Sequence, residues 1–152
     1  MNINMTNKNC KRILKYCLVI IWMIVIFNFS KDPAEVSNSK SGLVIKLITA
    51  MGIDVNGMFG KMANFIIRKI GHFTEYFVLC ALIVFSLKNE VRNNRKYIIA
   101  IIITFLYACS DEIHQLFVPG RSGRFTDVLI DTVGGILAIL IYRGIVKFKI
   151  VK

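Results

Sequence analysis

The chain has 152 residues, of which 55% are hydrophobic and only 19% are charged, and its mean hydropathy is +0.60. A soluble domain of this size keeps much of its surface in water, so this composition excludes a soluble globular domain, a disordered chain and a disulfide-stapled mini-protein and indicates a membrane protein. The formal net charge is +11, but the basic residues separate apolar runs as they do in polytopic membrane proteins, and we expect no nucleic-acid partner.

Four apolar segments predict four membrane-spanning helices, at about residues 13–30, 66–87, 97–117 and 126–146. The first follows a basic tail and lacks a small-residue cleavage site after it, so we expect a retained helix rather than a signal peptide. A span needs about 20 residues, and the second and third reach that length only if they include ionisable residues at one end. The predicted fold class is all-α: a polytopic membrane protein with four transmembrane helices in a single membrane domain over residues 1–152.

The loop between the first two spans contains an amphipathic segment. Leu43, Val44, Leu47, Ile48 and Met51 share one helical face. We expect this segment to lie on the outer leaflet rather than to cross the membrane.

Orientation follows from the distribution of Lys and Arg, because cytoplasmic connections carry an excess of them. The long first loop holds six basic residues and the third loop two, whereas 12 of the 20 lie in the N-terminal tail, the 88–96 connection and the C-terminal stretch. Those twelve are Lys8, Lys11, Arg12, Lys15, Lys88, Arg92, Arg95, Lys96, Arg143, Lys147, Lys149 and Lys152. We predict that both termini are cytoplasmic and that the first and third loops face outward.

Polar side chains concentrate at the outward ends of the last three predicted spans. Ionisable groups at membrane depth usually face a bundle interior or a wet cavity and are functional candidates. They predict an outward-facing polar pocket formed by His72, Glu75, Tyr76, Asp111, Glu112, His114, Gln115, Arg121, Asp127 and Asp131. In the fourth span Gly134, Gly135 and Ala138 continue the stripe, and small residues at this spacing let helices approach closely.

The same residues form recognisable motifs. His72-Phe73-x-Glu75-Tyr76, the block from Ser110-Asp111-Glu112-x-His114-Gln115 to Pro119-Gly120-Arg121, and Asp127-Val128-x-x-Asp131-x-x-Gly134 resemble the VanZ-like family. Trp22-Met23, Phe27-x-Phe29-Ser30 and Ser37-x-Ser39-x-Ser41-Gly42 are similar to that family's first span and loop, and the resemblance covers about residues 20–143. Asp131 is a departure, since many members carry Asn there.

The resemblance implies a small multi-span protein of the Gram-positive cell envelope. The family is named for a protein that accompanies glycopeptide resistance, and its founding type lowers susceptibility to teicoplanin, a lipid-bearing glycopeptide. No agreed reaction comes with the family name, so the resemblance leaves open whether the protein is an enzyme. We expect membrane lipids as partners and a lipid-linked or cell-wall precursor head group as the ligand of the polar pocket.

Two interpretations of the pocket residues remain open. In one, charge-assisted hydrogen bonds lock the helix ends together, with Arg121 or Arg68 neutralising the carboxylates. In the other, His72, Glu75, Asp111 and His114 bind a divalent metal, as inward-facing ligands of helix bundles do; no other cofactor is expected. The inner halves of the spans carry no charge, which disfavours a proton path.

Arg121 and Arg124 in the third loop also allow two interpretations. Their guanidinium groups are suited to a phosphate or carboxylate of a lipid or wall precursor. Alternatively they extend to the membrane interface, or form an ion pair with Asp127. Three functions therefore remain: head-group binding, metal-dependent hydrolysis or transfer on a membrane lipid, and a scaffold for other membrane proteins.

Overall fold

In the computed structural model, residues 3–91 and 93–151 are described, and they form six α-helices and one 3₁₀ helix without any strand. Arg92 and Lys152, which contribute to the predicted charge asymmetry, lie outside the described residues, as do the side chains of Lys8 and Lys149. The α-helices are α1 (Ile3–Ser30), α2 (Ala34–Ala50), α3 (Val55–Phe59), α4 (Ala63–Leu87), α5 (Arg95–Gln115) and α6 (Phe125–Val151), with the 3₁₀ helix at Gly60–Met62.

Four stretches of the described chain are long and apolar enough to cross a membrane: Asn9–Ser30, Val55–Leu87, Arg95–Gln115 and Phe125–Phe148. The second joins the short α3 to α4, so it begins earlier than the 66–87 predicted from the sequence. The prediction of an all-α polytopic membrane fold is confirmed.

The four long helices alternate in direction, which gives the bundle two distinct ends. At one end the Ser86 hydroxyl of α4 donates a hydrogen bond to the Lys15 carbonyl of α1, at 3.2 Å. We call this the basic end: the start of α1, the connection at 88–94 and the end of α6. The opposite end comprises the end of α1, the start of α4, the end of α5 and the start of α6, and we call it the polar end.

Helix α4 is central and packs against the other three spanning helices and α2. The core includes Ile26, Tyr76, Leu79, Cys80, Val84, Ala100, Ala108 and Ala138. Two side-chain hydrogen bonds attach α1 to this core: the Trp22 indole donates to the Glu75 carbonyl at 2.9 Å, and the Tyr107 hydroxyl donates to the Met23 carbonyl at 2.7 Å.

The small residues of α6 allow close helix packing, as predicted. A Cβ atom on Gly134 would lie 2.5 Å from the Phe73 carbonyl oxygen of α4, and one on Gly135 would lie 3.1 Å from the Thr104 side chain of α5. Such distances are shorter than van der Waals contact, so side chains larger than glycine would force α6 away from its neighbours.

Helix α2 confirms an amphipathic helix in the first loop and shows which face it turns inward. Ser37, Ser41 and Ile45 are buried against the bundle, whereas Leu47 and Met51 are 67% and 81% exposed. The apolar stripe therefore points largely away from the protein, as expected for a helix whose outer face contacts lipid.

Candidate functional site

The ten residues predicted to form the polar pocket all lie at the polar end. Three of them, Glu75, His114 and Arg121, are half-buried, and the other seven are buried: His72, Tyr76, Asp111, Glu112, Gln115, Asp127 and Asp131. They come from α4, α5, α6 and the loop that connects α5 to α6. The structure therefore places them at one end of the bundle, although they do not form one continuous cluster.

Arg121 attaches the α5–α6 loop to the end of α1. Its guanidinium donates to the backbone carbonyls of Phe29 at 3.3 Å and Asp32 at 3.1 Å, and to the Gln115 side-chain oxygen at 3.4 Å. A cation next to the last carbonyls of a helix is favourable because the helix dipole is negative there. Burial, together with the nearby Arg68 guanidinium, lowers the pKa of Arg121.

The turn before Arg121 explains how this side chain is positioned. Gly120 has a φ of +71°, which favours glycine, and the Pro119 carbonyl accepts a hydrogen bond from the Ala34 amide of α2 at 3.2 Å. The Pro119-Gly120-Arg121 motif thus connects the α5–α6 loop to the junction of α1 and α2.

The carboxylates of α5 take part in a hydrogen-bond network. The Gln115 amide donates to Asp111 at 3.3 Å and to Glu112 at 3.4 Å. Glu112 also accepts the backbone N–H of Arg124 at 2.7 Å, immediately before α6 begins. These contacts connect α5 to α6, as the network interpretation expects.

Arg121 or Arg68 was expected to neutralise the carboxylates at this end, but the cation that forms an ion pair there is Lys69. Lys69 of α4 forms an ion pair with Asp127, and both side chains are largely buried. An ion pair of Arg124 with Asp127, one of the alternatives left open for Arg124, is not formed within the described residues, because the start of α4 packs beside the start of α6 and Lys69 reaches Asp127 there. Arg124 donates instead to the Ser122 hydroxyl at 3.2 Å. Neither Arg68 nor Arg121 forms an ion pair within the described residues.

Several buried polar atoms at this end have no hydrogen-bond partner in the described part of the chain. Asp131 is fully buried, and neither of its carboxylate oxygens has a hydrogen-bond partner among the described residues. The hydroxyls of Ser30 and Tyr76 face the Asp111 carboxylate, but neither meets hydrogen-bond geometry.

The two histidines lie in different surroundings. The His72 ring is buried on α4, and its Nδ1 atom has no partner among the described residues. The half-buried His114 ring packs on Phe27 of α1, with 4.8 Å between the ring centroids, and its Nδ1 atom likewise has no partner among the described residues. Within residues 3–91 and 93–151, no group of three or more His, Cys, Asp or Glu side chains is placed to hold a metal ion. The predicted metal ligands His72, Glu75, Asp111 and His114 are thus not assembled into such a group.

Two adjoining cavities open at the polar end. The first, which we call the basic cavity, has a volume of about 110 Å³, and its charged and amide lining residues are Arg68, Lys69, Gln115, Arg121, Arg124 and Asp127. The second, which we call the histidine cavity, has a volume of about 160 Å³, and its ionisable lining residues are Asp32, Lys40, Arg68, His72, Glu75 and Arg121. Arg68 and Arg121 line both cavities and lie between them.

Sequence reasoning missed the contribution of the α1–α2 junction and of Lys69. Asp32 and Lys40 form an ion pair, and Ser37 and Ser41 turn inward from α2 beside them. Two signals were present in the sequence: Asp32-Pro33 begins two residues after the predicted end of the first span, and Ser37 and Ser41 are one helical turn apart and therefore share a helical face.

Comparisons with curated proteins and with solved structures give no significant match. A family model described as VanZ/LLP1 matches residues 15–148, which is nearly the whole chain. The match includes most of the first spanning helix, the other three spanning helices and all residues that line the two cavities. The chain belongs to the VanZ/LLP1 family.

Proposed function

We propose that this protein lowers susceptibility to teicoplanin-type glycopeptides by binding a lipid-linked or cell-wall head group at its polar end. The observation that carries the proposal is the pair of adjoining cavities, which are lined by charged side chains where four helix ends meet. Charged groups at this depth are costly unless they find partners or serve a ligand. The choice of teicoplanin comes from the family's founding type, which lowers susceptibility to this antibiotic.

Glu75 has the side chain in the histidine cavity that is best placed to bind a ligand. Its side chain is half-buried and has no hydrogen bond or ion pair within the described residues. Because its backbone carbonyl already accepts the Trp22 indole, α4 is held in place independently of the carboxylate. A substitution at the carboxylate therefore changes the cavity more than the fold.

The proposal needs the polar end to face outward, which the Lys and Arg distribution supports. A cysteine-free background with Ser122→Cys at the polar end or Asn94→Cys at the basic end allows this to be measured. A membrane-impermeant maleimide should label intact cells at position 122 only. Labelling at position 94 alone would place the cavities in the cytoplasm and contradict the proposal.

Antibiotic susceptibility tests the function itself. We expect the wild-type protein to protect a sensitive Gram-positive host against teicoplanin and Glu75→Gln to lose protection, at matched membrane levels. Glu35→Gln is the matched control, since Glu35 undergoes the same chemical change on the exposed face of α2 and lines neither cavity. Equal protection by all three proteins would contradict the proposed cavity and favour a scaffold role.

A further inference from the structure

The basic cavity has an excess of positive charge that its own residues do not neutralise. Four cationic side chains line it, and Asp127 is its one carboxylate among the described lining residues. Lys69 pairs with Asp127, and Arg121 donates to Phe29, Asp32 and Gln115. Arg68 and Arg124 have no ion pair within the described residues, so an anion in the cavity would meet cations that no carboxylate already pairs with.

Arg68 is the clearest source of that charge. Its side chain is half-buried, and it has no hydrogen bond or ion pair with any residue in the described ranges. The neighbouring Arg121 is also cationic, so the two guanidiniums repel each other when no anion lies between them. A planar guanidinium binds phosphate oxygens through two parallel hydrogen bonds.

The basic cavity is large enough to hold a phosphate group. One water needs about 10–15 Å³ of such space, and the cavity measures about 110 Å³. Basic pockets between transmembrane helices bind anionic lipid head groups on the cytoplasmic or matrix side of other membrane proteins, and the same charge complementarity applies to the basic cavity at the polar end.

An apolar groove lies beside the basic cavity. It has a volume of about 260 Å³, and its apolar lining residues are Cys109, Ile113, Leu116, Phe125 and Val128 of α5, α6 and the start of the connecting loop. Ile113, Leu116 and Phe125 are each more than half exposed. Arg124 lines both the groove and the basic cavity, so an anionic site and an apolar site share one wall.

We propose that the polar end binds a phosphate-bearing membrane lipid, with the phosphate on Arg68 in the basic cavity and an acyl chain in the apolar groove. This inference rests on the proposed function in that both use the polar end as the ligand site. It adds the charge and the amphipathic character of the ligand. It also assigns phosphate recognition to Arg68 rather than to the carboxylates and histidines.

Three probes separate the parts of this proposal when the full chain, purified in mild detergent, is titrated and observed by native mass spectrometry. Phosphatidic acid carries both phosphate and acyl chains, diacylglycerol lacks the phosphate, and inorganic phosphate lacks the chains. We expect saturable binding of phosphatidic acid, with inorganic phosphate and diacylglycerol each at least about tenfold weaker.

Variants locate the site. Arg68→Gln should weaken phosphatidic acid binding about tenfold, and Arg68→Lys should weaken it less because it keeps the charge but loses the planar fork. Lys61→Gln, which removes an exposed cation near the start of α4, should leave affinity unchanged. Ile113→Gln should weaken phosphatidic acid but not inorganic phosphate.

Other results would overturn the inference. Equal affinities of Arg68→Gln and Lys61→Gln would mean that Arg68 only extends to the membrane interface. Inorganic phosphate that binds as tightly as phosphatidic acid would exclude the lipid. Lipid binding that Arg68→Gln weakens, together with no antibiotic protection by the wild-type protein, would keep this inference and reject the proposed function. Wild-type protection that Glu75→Gln removes, together with lipid binding that Arg68→Gln leaves unchanged, would do the reverse.

Discussion

The two ends of the bundle carry similar residue types but use them differently. At the basic end the charges are exposed: Arg12 and Glu90 form an ion pair at 3.6 Å with side chains 52% and 34% exposed. Other cations there lie over aromatic rings, as Lys15 does over Phe85 and Arg143 over Tyr97. At the polar end Lys69 and Asp127 pair with side chains only 15% and 9% exposed.

The difference shows that the role of a charged residue depends on its burial and its neighbours. The count of charged residues in a loop does not determine that role. Exposed cations next to aromatic rings anchor a span at the membrane surface and set its direction. Half-buried cations beside cavities either connect helix ends through hydrogen bonds or remain without an ion pair and can bind an anion. Substitutions at the polar end should therefore be costly and selective, and those at the basic end nearly silent.

The Lys69–Asp127 ion pair should give the largest effect. Lys69→Gln leaves a buried carboxylate without its cation, which costs about 3 kcal/mol of unfolding free energy. The measurement is reversible unfolding in bicelles. The double variant Lys69→Gln/Asp127→Asn should regain more than half of the unfolding free energy that Lys69→Gln loses, because no unpaired charge is then buried. If the double variant loses as much free energy as the two single variants together, the residues act independently.

Arg121 should come next. Arg121→Gln removes a cation from the Phe29 and Asp32 carbonyls at the end of α1 and should cost about 2 kcal/mol in the same assay. Arg121→Lys should lose about half as much, since it keeps the charge but not the fork that reaches several acceptors. Identical losses for the two variants would mean that the charge itself contributes nothing.

Asp131 should respond with the opposite sign. Its carboxylate is fully buried and has no partner in the described chain, so Asp131→Asn should raise the unfolding free energy by about 1 kcal/mol. Asp127→Asn is the matched control, the same change one turn earlier, and it should destabilise because it breaks an ion pair. Destabilisation by Asp131→Asn would show that this carboxylate holds a cation or a donor.

Arg12 at the basic end should give the smallest effect. Arg12→Gln breaks an exposed pair with Glu90 and should change the unfolding free energy by less than about 0.5 kcal/mol. High salt should make the difference from wild type smaller still, because it screens exposed charges. A loss comparable to that of Lys69→Gln would remove the contrast between the two ends.

The sequence predicts the helices and most polar-end residues because both follow from local patterns. Apolar run length locates the spans, and the small residues at Gly134 and Gly135 predict close packing of α6. Ionisable residues at the span ends predict where polar groups are buried, as Asp111 and Asp131 are.

The sequence does not predict which residues become partners, because partners depend on how the helices pack. Arg68 and Lys69 are adjacent in sequence, yet only Lys69 faces α6 closely enough to pair with Asp127. Arg121 binds the backbone carbonyls of α1, which have no signature in the sequence. The contact of the His114 ring with Phe27 also depends on how α5 packs against α1, which the sequence alone does not reveal.

The most direct test compares the same substitution at the two ends of the bundle. Arg68→Gln and Arg12→Gln each remove one guanidinium, from the basic cavity and from the exposed basic end respectively. Teicoplanin susceptibility would be measured in a sensitive Gram-positive host at equal membrane levels of each protein. The account predicts wild-type protection with Arg12→Gln and loss of protection with Arg68→Gln; protection by Arg68→Gln at the wild-type level would contradict it.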